Sequence, residues 1–176
     1  KMAKEIALTE LEEALEEAGK EGKTPLFLDT SGNVDTYLSY RQTTVVEAKK
    51  CLMDKLKGTA VSDIREGLRS QLVNAMRYSH NLLIRMTNSA VDFLGTFCEE
   101  TTFPVDVFDP NAILSNEVVE RVIRDSDKKA EDGRVFVPRG LTVVITSTFE
   151  KEDYAEFLKD AIPLDKCMVF YVKKSA

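Results

Sequence analysis

The stretch from Gly133 to Thr148, GRVFVPRGLTVVITST, constrains the fold of this chain more than any other. Leu141 to Ile145 is apolar or β-branched almost without interruption, and it ends in the small hydroxyl residues Thr146 and Ser147. A strand apolar on both faces needs a covering layer on each side, which places it in the middle of a parallel sheet. In such sheets the carboxyl ends of the strands border the ligand crevice. Thr146 and Ser147 are therefore candidate ligand-facing residues, although hydroxyls at a strand end also cap the following turn. Just upstream, Val135-Phe136-Val137 reads as a further strand paired with Leu141–Ser147 across the turn Pro138-Arg139-Gly140.

A chain of 176 residues is long enough for one domain that buries roughly 70% of its unfolded surface. Hydrophobic residues at 43% and charged residues at 31% match ordinary globular usage, which argues against disordered and fibrous classes. No apolar run approaches the ~20 residues that a spanning helix requires, so no membrane partner is expected. Cys51, Cys98 and Cys167 are far apart and odd in number, which indicates neither a disulfide framework nor a CxxC site and points to a reducing, cytoplasmic compartment. The opening Lys1-Met2, running straight into helix formers, suggests a piece excised from a longer protein.

The net charge of −6 conceals an asymmetry: residues 41–85 hold nine Lys/Arg against four Asp/Glu, a balance of +5, which leaves −11 for the rest. Those basic residues are interspersed, as on a solvated helix face, and no nucleic-acid partner is expected. Within them, residues 44–57 place Lys49, Lys50, Lys55 and Lys57 beside Val45, Val46, Leu52 and Leu56, a pattern that also suits a calmodulin-type partner.

Helical spacing of Ile6, Leu8, Leu11, Ala14, Leu15 and Ala18, opposite a face of glutamates, predicts an amphipathic helix over about residues 3–19, with Thr9 and Glu12 as a capping box. Pro25 to Asp29 reads as the first central strand, followed by the loop Thr30-Ser31-Gly32-Asn33 and a short helix from Val34 to Tyr40. Residues 43–48 fit either a strand or the start of a helix. Ser62-Asp63 is expected to cap a helix running to Tyr78, and Asn81 to Met86 reads as a third strand. Thr87 to Pro110 reads as a long packed loop, Ser115 to Asp125 as a capped helix, Glu150 to Ala161 as a helix and Cys167 to Val172 as the last strand. Strands alternating with helices in this way give an α/β domain with a mainly parallel sheet.

The order of these pieces resembles the AAA+ ATPase core of the P-loop class, and within it the degenerate fifth AAA module of dynein heavy chains. The resemblance rests on short matches spread over about residues 24–172: Thr24 to Asp29, Leu72 to Tyr78 with Leu82-Leu83-Ile84, Phe136 to Thr148, and Met168 to Tyr171. It implies a three-layer domain with a five-stranded sheet in the order 5-1-4-3-2. It also implies a remnant nucleotide site at Thr30, Ser31, Gly32, Asn33, Thr146 and Ser147.

An active P-loop needs GxxxxGK[ST] after the first strand, so that backbone N–H groups cradle phosphates and the Lys reaches their oxygens. The loop here has one Gly and no Lys, and Asp29 and Asp35 beside it repel phosphate. Gly22-Lys23-Thr24 lacks the first Gly, because position 17 is Glu, and it precedes a strand instead of leaving one. The third strand ends in Arg85-Met86-Thr87-Asn88 where acidic residues would hold magnesium. Efficient ATP hydrolysis is therefore not expected.

Arg139 suits a surface turn better than an arginine finger, and His80 suits a helix C-terminus better than catalysis. Glu99 and Glu100 beside Cys98 disfavour its thiolate. Asp106, Asp109 and Asn111 lack the calcium-loop spacing. Two readings of function remain. In one, the chain is a catalytically inactive AAA-like domain without a cofactor, contacting protein partners or other domains of its parent chain in a cytoskeletal or ciliary assembly. In the other, it is a regulatory domain that holds ATP or ADP without efficient hydrolysis.

Overall fold

The computed structural model describes residues 3–129, 133 and 135–174. They form an α/β fold in which one sheet of six strands, joined by parallel ladders throughout, is flanked by helices. In chain order the strands are β1 (Lys4–Ile6), β2 (Thr24–Leu28), β3 (Thr43–Glu47), β4 (Asn81–Thr87), β5 (Thr142–Ser147) and β6 (Cys167–Val172). They stand side by side as β1-β6-β2-β5-β4-β3. The helices are α1 (Leu11–Lys20), α2 (Asn33–Ser39), α3 (Ala48–Leu56), α4 (Val61–Tyr78), α5 (Asn116–Val122) and α6 (Tyr154–Leu158).

Alternation along each strand divides the core into two layers. Leu26 and Leu28 of β2, Leu82, Ile84 and Met86 of β4, and Val143 and Ile145 of β5 face one way, under α3, α4, α5, α6 and the long segment between β4 and α5. Phe27, Leu83, Val144 and Phe170 face the other way, under α1 and α2. Phe27 stacks on Phe170 at 5.3 Å between ring centroids, joining β2 to β6 on that second face. The expected loop is packed, with Phe93, Phe97, Phe103 and Phe108 fully buried, but it is not irregular throughout: Phe93–Phe97 and Val105–Phe108 form short helical turns.

The sheet has one strand more than the five expected. The five stand in the order 5-1-4-3-2, and β1 adds a sixth that pairs with β6 at Lys4↔Phe170 to Ile6↔Val172. The amphipathic helix therefore does not begin at residue 3. Only Ile6 of β1 is buried, and three residues are too few to display alternation, so the helical spacing absorbs it. The Thr9–Glu12 box does not form either: α1 has no side-chain cap and is entered from a 3-10 turn over Leu8–Glu10, at whose start Glu10 Oε1 accepts the Ala7 N–H at 2.8 Å.

Residues 43–48 resolve into both alternatives in succession, with strand through Glu47 and helix from Ala48. Helix α4 starts at Val61 after Ala60 with no side-chain cap, one residue ahead of Ser62-Asp63. Ser115 does cap α5, its hydroxyl accepting the Val118 N–H at 3.4 Å. Val135–Val137 is not a strand of the sheet. β5 already has β2 and β4 on its two edges, so no partner edge is left, and Val135 makes only an isolated bridge to Lys129. The helix expected over Glu150–Ala161 shrinks to α6: residues 150–153 form a turn before it, and at its end the Leu158 carbonyl takes the N–H groups of both Ala161 and Ile162, just ahead of the helix-breaking Pro163.

Candidate functional site

All six strands point the same way, so the carboxyl ends of β2, β5 and β4 meet the start of α2 on one rim of the sheet. The loop after β2 carries Thr30, Ser31, Gly32 and Asn33, while β5 delivers Thr146 and Ser147 to the same place. Gly32 sits at φ 70°, the left-handed conformation that turns the chain into α2 and that glycine adopts without strain. Asp29, Gly32, Asp35, Thr87, Thr146, Ser147 and Thr148 line a shallow depression with no enclosed room for even a water-sized sphere. Pockets that enclose small molecules start at roughly 300 Å³.

The polar groups around it are committed to one another. Asp29 is 4% exposed, and its carboxylate lies inside the loop: Oδ2 accepts the Val34 N–H at 2.7 Å and Oδ1 the Ser31 N–H at 3.1 Å. Its carbonyl takes the Gly32 N–H at 3.3 Å. Two of the loop's N–H groups, those of Ser31 and Val34, thus already face an anion that belongs to the chain. A phosphate arriving here would have to displace a buried carboxylate of its own sign. The residues present do not fit a nucleotide phosphate in this arrangement.

Beside the loop, Arg85 of β4 donates from Nε to Asp35 Oδ2 at 2.8 Å and from Nη1 to Glu47 Oε1 at 3.0 Å. The paired carboxylates hold the guanidinium protonated more firmly than usual. Thr146 donates its hydroxyl to Asp35 Oδ1 at 2.7 Å. The ends of β3, β4 and β5 and the first turn of α2 are thus tied together through Glu47, Arg85, Thr146 and Asp35. Ser147 caps the turn that leaves β5: its Oγ accepts the Phe149 N–H at 3.1 Å and its hydroxyl donates to the Thr87 carbonyl at 3.3 Å.

Thr87 is the strained member of the group, a β-branched residue at φ 54°. Left-handed backbone costs such a residue roughly 1–2 kcal/mol. Three contacts hold it there: the Thr148 N–H reaches its carbonyl at 2.9 Å, the Ser147 hydroxyl joins at the same oxygen, and its own hydroxyl donates to the Met86 carbonyl at 2.6 Å. The β4–β5 register shifts between Arg85 and Thr87 to accommodate it. Nothing in the residue type signals this, since sequence rules send a threonine to extended backbone.

Sequence reasoning picks out Asp29, Asp35 and Arg85 as misplaced for phosphate chemistry, and the structure brings all three to this rim. It misses Glu47, whose one signal is its position at the end of β3. Other candidates lie elsewhere. Gly22-Lys23-Thr24 is at the opposite end of β2, where Lys23 Nζ reaches the Asp165 carbonyl at 2.6 Å and the buried Thr24 hydroxyl donates to the Phe108 carbonyl at 2.7 Å. Arg139 is exposed before the start of β5. The His80 ring pairs through Nδ1 with Thr44 Oγ1 at 3.0 Å.

Burial pushes the Cys51 thiol up to about 11 and the Cys98 and Cys167 thiols up to about 12, so none is a ready nucleophile. For Cys98 the reinforcing charge is Asp92, not the neighbouring glutamates. A second depression, about 350 Å³, opens between α3 and α4 beside β3. Cys51, Ile64 and Leu68 form part of its lining, with Glu47, Lys50, Asp54 and Asp63 as the charged residues. Among the described residues no group of three or more His, Cys, Asp or Glu could hold a metal ion, and no helix is long and apolar enough to cross a membrane. Comparison of the chain with protein-family models, curated proteins and solved structures found no match.

Proposed function

We propose that this chain is a nucleotide-independent AAA-like interaction domain, a P-loop-type fold that serves as a scaffold toward protein partners or other domains of its parent chain. The observation that carries the reading is Asp29. Its carboxylate takes the loop N–H groups of Ser31 and Val34, in a loop that has no lysine. Arg85 supports it, standing where a hydrolase needs acidic residues for magnesium and neutralised instead by Asp35 and Glu47. Positioning and charge neutralisation supply nearly all of phosphoryl-transfer catalysis, and this rim offers neither to a nucleotide. The chain on this reading is not an enzyme, and a cytoskeletal or ciliary assembly in the cytoplasm is its proposed setting, carried over from the resemblance to the dynein module.

A ligand of the folded state must raise its apparent stability, by about 2.7 kcal/mol at a concentration one hundred times its Kd. The melting temperature is therefore expected to stay flat in millimolar MgATP, MgADP and MgGTP. Saturable heat in a calorimetric titration at micromolar MgATP, or turnover of it, refutes the reading and favours the regulatory nucleotide-binding alternative.

A further inference from the structure

We propose that the outward flank of α3 is a docking face for an acidic amphipathic helix of a partner protein. This inference is independent of the crevice. Helix α3 holds to the sheet by only two buried side chains, Ala48 and Cys51. A surface helix ordinarily turns its larger apolar residues inward. Here Leu52, Met53 and Leu56 point out, at 38%, 48% and 71% exposure. Leu52 and Leu56 are four residues apart and Met53 and Leu56 three, so the three form a continuous stripe along one flank.

Charge decides the occupant. Lys49 precedes Met53 by one turn and Lys57 follows it by one turn, with Lys55 next to Leu56. Lys50 is paired with Asp54 at 2.6 Å, but the ammonium groups of Lys49, Lys55 and Lys57 have no hydrogen-bond or ion-pair partner among the described residues. Three unpaired cations around an apolar stripe are notable in a chain of net charge −6. The complementary surface carries apolar residues flanked by carboxylates, as an acidic amphipathic helix does. Met53 lets such a face adapt to different apolar side chains. A bilayer is the poorer fit, because interfacial helices use a broad apolar face with aromatic anchors and this stripe has no aromatic ring. The calmodulin-type partner expected at residues 44–57 narrows, on this proposal, to one that docks on α3. Residues 43–47 are strand and Ala48 and Cys51 are buried, so the partner adds onto α3 without pulling it out.

The test is fluorescence anisotropy on the whole chain, with a labelled synthetic helix about five turns long that has Leu at its a and d positions and Glu elsewhere. The acidic peptide is expected to bind and a counterpart with Lys in place of Glu is not. Leu56→Glu is expected to weaken binding roughly tenfold, as is the pair Lys49→Glu with Lys57→Glu, which also shifts preference toward the lysine peptide. Unchanged circular dichroism shows that the loss is not unfolding, and the lysine reversals read the proposal independently of the leucine variant. Failure of the acidic peptide to bind, equal binding of both peptides, or indifference to these substitutions overturns the proposal. So does binding of the chain to phosphatidylserine vesicles, or self-association in sedimentation, that the same substitutions abolish.

Discussion

The rim at the carboxyl ends of the strands and the flank of α3 treat their charges in opposite ways. At the rim the charges are matched within the chain: Asp29 faces the N–H groups of Ser31 and Val34, and Arg85 lies between Asp35 and Glu47. On α3, Lys49, Lys55 and Lys57 have no partner among the described residues, and three apolar side chains share their exposure. A place where a chain satisfies its own polar groups is built for stability. A place where it leaves apolar and charged groups unmatched together has room for something else. In this molecule the location that a parallel sheet nominates for a ligand, the carboxyl ends of its strands, is the first kind, and a helix at the sheet margin is the second.

The largest expected effect tests the rim. Asp29→Ala removes the acceptor of two backbone N–H groups in a buried site, and each unsatisfied donor costs about 1–3 kcal/mol. Urea unfolding is expected to show a loss of about 3 kcal/mol with an unchanged m-value. A loss under about 1 kcal/mol would mean that water replaces the carboxylate readily and the loop is open to other anions, which erases the contrast with α3.

A second self-satisfied cluster extends the comparison beyond the rim. Arg69 of α4 is buried, and its Nη1 donates to Asp127 Oδ2 at 2.7 Å and to the Val122 carbonyl at 2.9 Å. Burial raises the Asp127 carboxyl, but the Arg124 N–H and the Arg69 guanidinium outweigh it and leave the group below its ordinary value of 3.8. Folding therefore favours the ionised form, and its contribution is present above pH 3.8 and lost as pH falls through the lower folded value. Asp127→Asn is expected to cost about 2 kcal/mol near neutrality, since it removes one of the two carboxylates on the buried Arg69 guanidinium and leaves Glu66, which accepts from Nε at 2.8 Å, as the other. The gap to the parent chain should hold constant down to about pH 4 and narrow progressively below it, and a gap that widens, or that already closes above pH 4, contradicts the assignment.

How far the residues themselves announce this arrangement depends on the reach of each signal. β2, β4 and β5 are legible because a central strand buried on both faces is apolar nearly throughout, and no helix period fits Leu26-Phe27-Leu28 or Val143-Val144-Ile145. β1 is not, because its stability comes from the edge of β6, a strand more than 160 positions away. Val135–Val137 misleads for the converse reason: it has strand composition but no edge to pair with. At the rim, the absence of a lysine is plain, and Asp29 and Asp35 stand out as hostile to phosphate. That Asp29 takes the loop N–H groups and Asp35 pairs with Arg85 depends on tertiary approach, which spacing does not encode. On α3, the mixture of lysines and apolar residues is legible while their outward direction is not. Val45, Val46 and Cys51 belong to the same pattern and are more covered.

The smallest expected effect concerns that direction. Leu56 is 71% exposed, so replacing it removes little buried apolar surface, and exposed substitutions away from caps and ion pairs usually stay within about 0.5 kcal/mol. Leu56→Glu places a carboxylate in the last turn of α3, slightly unfavourable against the helix dipole, but beside Lys55 and Lys57, which favour it. These terms oppose each other, and the unfolding midpoint is expected to stay near that of the parent chain. A loss above about 1.5 kcal/mol would show that Leu56 packs within the domain, and the flank of α3 would then belong with the rim as a surface the chain uses for its own stability.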